Sequence, residues 1–121
     1  MKALYPLAAL AALAAGNAYA ACTYPTPPES IPDGNTATLQ EMVAAQKAVK
    51  EFDKQITAYT ECLKLEHEAA LARSEGLTDE QKQELERIQI QKHNAAVEAD
   101  EALAARFNEQ LKVFKAKNAK K

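Results

Sequence analysis

Beyond residue 20, every glycine and proline of this chain falls in one of two places. One is a tract holding Pro25, Pro27, Pro28, Pro32 and Gly34; the other is the single position Gly76. These two residue types are the ones that interrupt helices, glycine through backbone entropy and proline through its missing N–H and fixed φ. The stretches 35–75 and 77–121 therefore carry no breaker, and they have room for about eleven and twelve helical turns. Such a chain suits one small domain made of two long helices with an extended piece in front.

The polar signals agree with that division. Thr38-Leu39-Gln40-Glu41 forms a capping box, the Thr38 hydroxyl accepting from the third helical N–H and Glu41 reaching back. Met42, Ala45, Val49, Phe52, Ile56, Tyr59 and Leu63 follow at alternating spacings of three and four, the heptad-type seam of a coiled coil. This predicts a helix over 39–74. Gly76 then supplies a left-handed C′ position, with Leu77 folding back on Leu71 as in a Schellman stop. After a turn at 75–78, Thr78 and Gln81 open a second capping box, and Asp79 and Glu80 suit the positive end of the helix dipole. A helix over 79–116 is predicted, with an apolar seam of Leu85, Ile88, Ala95, Ala99, Leu103, Phe107 (or Gln110 and Leu111) and Phe114.

Helices joined by so short a turn become antiparallel neighbours, and at roughly 54 and 57 Å their lengths match. Abutting them at the turn makes facing residue numbers add to about 153, which pairs Leu65 with Ile88, Ile56 with Val97 and Met42 with Leu111. The expected fold is all-α: a long antiparallel two-helix hairpin spanning 38–118.

The first twenty residues read as an address. Lys2 is a short basic start, Leu7 to Ala15 is an apolar run, and Ala18-Tyr19-Ala20 places small residues at a cleavage site. That is the layout of a secretory signal peptide cut after Ala20. The apolar run falls well short of the roughly 20 residues that span a bilayer. The mature product is expected in the periplasm or secreted, without stable membrane insertion. Its 14 basic and 17 acidic residues give a formal charge of −3, which excludes a globally basic nucleic-acid binder. It also has 17 alanines and only five aromatic residues, so its core is thin and in need of a staple or a partner.

Export gives the two cysteines, Cys22 and Cys62, their most direct meaning: a disulfide. The alternatives at this point are lipidation of Cys22, which stands just after the cut, or two free thiols. Their spacing of 40 excludes local CxxC chemistry, and a bridge closing a loop of that size is credited with about 4 kcal/mol. Distance permits it. Cys62 stands roughly 36 Å along the first helix, and the ten residues from Cys22 to Pro32 reach roughly 31 Å as polyproline II. Pro32-Asp33-Gly34-Asn35 is a turn signal, Pro presetting φ and Gly34 tolerating a positive one. If that turn reverses the chain, the segment 21–37 runs back along helix 1, and Tyr24, Pro25, Pro28 and Ile31 cover its apolar surface.

Cys22, Pro25, Pro28 and Ile31-Pro32-Asp33-Gly34, followed by Glu41-Met42-Val43, Ala45-Gln46, Val49-Lys50, Phe52, Tyr59 and Cys62-Leu63, resemble small uncharacterised exported proteins of proteobacteria. The resemblance covers residues 22–63. It implies export and paired cysteines and carries no activity. Leu77-Thr78-Asp79-Glu80-Gln81 is also similar to the LTxxQ motif of small periplasmic stress chaperones, which are all-helical and typically carry two copies; this chain has one. The same residues suffice as a helix start.

Other chemistry is sparse. His67 and His93 lack the Glu-x-x-His spacing of helical di-metal sites, and the hairpin staggers them by roughly 10 Å, so no metal site is expected. Ser30 and Ser74 have no His/Asp companions, and no glycine-rich phosphate loop is present. No catalytic residue and no cofactor is expected. The chain reads as a non-enzymatic structural or interaction protein, its partner another protein or a second copy; an LTxxQ-type chaperone and a metal carrier are the alternatives.

Overall fold

The computed structural model describes residues 22–119, and all the regular structure in that range is helical. The expected signal peptide at 1–20 lies outside the described residues. Helix α1 runs Leu39–Ala72 and α2 runs Asp79–Ala119. They pack side by side as an antiparallel hairpin. Residues 22–37 form an extended strap laid over the groove between them, closed by a turn at 34–36.

The core follows from the α1 spacing. Met42, Phe52, Ile56, Tyr59 and Leu63 are buried, with Ala45 and Val49 half-buried between them. From α2 come Ala96, Leu103 and Phe107. Phe52, Ile56, Tyr59, Leu63, Ala96 and Leu103 form one cluster, against which Cys22, Ile31, Val49 and Ala99 pack. Burial of a Phe or Leu stabilises by roughly 1.5–3 kcal/mol, so this short column of side chains carries most of the fold.

Several expectations are corrected. The α2 seam passes through Ala96, which is fully buried, while Ala95 is exposed. Ile88 lies at the surface, 36% accessible. Helix α1 ends at Ala72, with Arg73 as its C-cap and the Arg73 N–H shared among the carbonyls of Ala69, Ala70 and Leu71. Gly76 is therefore too far along the chain to be the C′ residue. Its φ of 91° serves instead the tight turn that the Leu77 N–H closes on the Ser74 carbonyl at 2.9 Å, where a third position with positive φ favours glycine.

The strap differs in its path. Its Cys22 end lies on α1, as expected, but the other end crosses to α2. The Gly34 N–H donates to Gln110 Oε1 at 2.8 Å, and Lys117 Nζ donates to the Asn35 carbonyl. Gly34 does not have a positive φ. A side chain is missing there because a Cβ would collide with the Gln110 carbonyl oxygen and lie 2.8 Å from Phe114 N. Within the turn, Asp33 accepts the Asn35 N–H on its side chain at 2.8 Å and the Thr36 and Ala37 N–H groups on its carbonyl.

Candidate functional site

The polar side chains singled out by the sequence sort into caps, staple and surface. At the α1 start, Thr38 Oγ1 accepts from the Glu41 N–H at 3.1 Å, and the Glu41 carboxylate accepts the Thr38 hydroxyl at 3.3 Å rather than reaching the backbone. At α2 the box closes in both directions: Thr78 Oγ1 accepts from the Gln81 N–H at 3.1 Å and Gln81 Oε1 accepts from the Thr78 N–H at 2.9 Å. The polar positions of the LTxxQ-like stretch thus cap the second helix, and Leu77 is half-buried beneath it.

Cys22 and Cys62 form a disulfide, with Cα atoms 5.8 Å apart. That distance lies within the ordinary range of 4.4–6.8 Å. Around it the strap and α1 share an open depression lined by Thr23, Tyr24, Pro25 and Thr26 on one side and by Gln55, Ala58, Tyr59 and Cys62 on the other. The rings of Tyr24 and Tyr59 meet edge to face at 5.2 Å, a geometry worth about 0.5–1.5 kcal/mol beyond area burial. Pro25 is buried beside them. Among the described residues no backbone–backbone hydrogen bond involves residues 22–32. The strap is therefore held by the disulfide, by apolar side chains and by the turn at its far end.

The described part of the strap begins at Cys22, beside Cys62 and Glu66, and among the described residues none of it lies over the last part of the hairpin. There Leu65 is 65% accessible and Ile90 46%, with Leu71 and Ile88 also exposed. Between the helices, a small depression of about 160 Å³ opens among Leu63, Glu66, His67, Ala70, Leu85, Ile88, Gln89 and Lys92. His67 lines it; His93 sits apart beside the Asn94 side chain. Among the described residues no three His, Cys, Asp or Glu side chains gather around a common point. No described helix is long and apolar enough to cross a membrane.

One titratable group is strongly perturbed, and sequence reasoning did not single it out. The Asp100 carboxyl is pushed up to about 6, by burial first and then by the Asp53 carboxyl and the charge of Glu101. Asp53 and Asp100 add to 153, so the register rule itself would have paired them. At the surface Glu84 is lowered by its hydrogen bond to Arg87, an exposed i,i+3 ion pair of the kind that adds little to stability.

Set beside known proteins, the chain matches no family, no curated protein and no solved structure.

Proposed function

We propose that this chain is an exported, non-enzymatic interaction module: a disulfide-stapled helical hairpin that offers its uncovered end to another protein or to a second copy of itself. The observation that carries this reading is the unequal cover of the hairpin. The strap closes the groove over Phe52, Ile56 and Tyr59, yet Leu65, Leu71, Ile88 and Ile90 stay exposed beyond it. Tyr24, Leu39 and Val43 are exposed on the strapped half too, but the distal end gathers four such side chains with no strap beside them among the described residues, and a group of that kind suits association. The signal-peptide layout supports export, and a disulfide is the kind of staple that exported chains keep.

The test places a photo-crosslinking residue at Ile88 or Ile90 and, as a comparison, at Lys47 on the strapped half, in protein recovered from the compartment to which it is exported. Discrete crosslinked species from positions 88 and 90 but not from 47 are expected, and a product of twice the chain mass identifies a second copy. No crosslinks from either end, together with a monomer at all concentrations by light scattering, would remove the proposal. The same exposed side chains favour a holdase-type reading, in which the chain suppresses aggregation of an unfolded client at stoichiometric ratio without forming discrete products. N-terminal sequencing of the exported protein is expected to begin at Ala21.

A further inference from the structure

Beside the apolar column, the mid-length of the hairpin carries a pair of facing acids. There Asp53 of α1 and Asp100 of α2 bring their carboxyl groups together, and Oδ1 of Asp100 is buried with no hydrogen-bond partner. The pair sits one residue from buried Phe52 on one helix and from core-packed Ala99 on the other. Any strain at the pair is therefore felt by the core column.

An ionised carboxylate can only accept hydrogen bonds. Two of them facing each other repel, and while the exposed Asp53 keeps its contact with water, Oδ1 of Asp100 is left unsatisfied. One proton shared between them changes both conditions: the repulsion ends, and a donor appears for an oxygen that otherwise has none. The charged groups that raise Asp100 are Asp53 from α1 and Glu101 from its own helix, both acids. An asparagine at position 100 would donate to Asp53 at every pH. An aspartate makes that bond conditional on a proton.

We propose that Asp53 and Asp100 form a proton-operated clasp, which draws the helices together at mid-length in mild acid and loosens them as the proton leaves near neutrality. Burial and the neighbouring acids raise Asp100 from its ordinary 3.8 to about 6 in the folded chain. The folded state then binds this proton more tightly than the unfolded chain does. The resulting stabilisation is complete below about 3.8 and is lost as pH rises through about 6.

Thermal melts of the disulfide-intact protein between pH 4.5 and 8 test this, with wild type, Asp100→Asn, Asp53→Asn and the exposed-site control Glu68→Gln. Wild type and the control are expected to gain roughly 4–8 °C in Tm on going from pH 7.5 to 5. Asp100→Asn and Asp53→Asn should melt higher than wild type at pH 7.5 and lose most of that gain. Profiles of the two asparagine variants parallel to wild type would overturn the clasp. Carbon-detected NMR titration of the wild-type carboxyl groups gives a readout independent of any variant. A midpoint for Asp100 clearly above those of the exposed aspartates is expected, and an ordinary midpoint would overturn the proposal.

Discussion

Gly34 and Gly76 lack a side chain for unrelated reasons, and the two reasons make different demands on a substitution. Gly76 has open space around it but a φ of 91°, so Gly76→Ala carries only the left-handed backbone cost of about 1–2 kcal/mol. Gly34 has ordinary dihedrals and no space: a Cβ would press on the backbone of Gln110 and Phe114, and backbone within a helix does not yield as a flexible side chain does. Gly34→Ala is expected to cost about 2–3 kcal/mol and also to detach the turn from α2. Urea unfolding measures both losses, and resonance changes at Gln110 and Val113 in Gly34→Ala alone distinguish them. Sequence reasoning places both glycines in turns, which is where they are. It assigns Gly34 a positive φ because turn chemistry is local, whereas a close approach to a residue 76 positions away leaves no local trace.

At the scale of elements, α1 is legible almost residue by residue. From Met42 to Leu63 the apolar side chains of the seam recur at spacings of three and four, with mostly polar residues between them from Val49 onward, so only one face can be buried. Helix α2 is less legible for a physical reason. Ala95, Ala96 and Ala99 stand where the seam passes the middle of the hairpin, and alanines offer no contrast in size to decide which one faces inward. Close packing decides it, and Ala96 is the one that lets the helices approach. The strap is legible in its reversal and its disulfide partner but not in its crossing to α2, because apolar pattern alone does not say on which side of a groove an extended segment ends. Its thin hydrogen bonding makes the disulfide decisive for its position. Replacing both cysteines, Cys22→Ser with Cys62→Ser, is expected to cost about 2–4 kcal/mol while leaving the far-ultraviolet helical signal at low temperature intact. Limited proteolysis should then cut near Tyr24 in the variant and not in the stapled protein.

For the molecule as a whole, the strap divides a uniform-looking hairpin into a three-layered part and a two-layered part. Local opening is cheapest where apolar contacts are fewest. Amides in the distal stretches 64–71 and 80–90 are expected to exchange with deuterium at least roughly tenfold faster than those in 49–62 and 96–107, measured by mass spectrometry or NMR. Equal protection along both helices would show that the strap adds no rigidity. The same architecture also sets an order of events. The strap is made before the groups that seat its turn, Gln110 and Lys117, which follow Gly34 and Asn35 by 76 and 82 positions. Contacts this distant in sequence form only after the intervening chain is present. A ribosome or a translocation pore that releases the chain from its N-terminus therefore always holds an open form, and the base of the hairpin shuts only once the final turns of α2 are free.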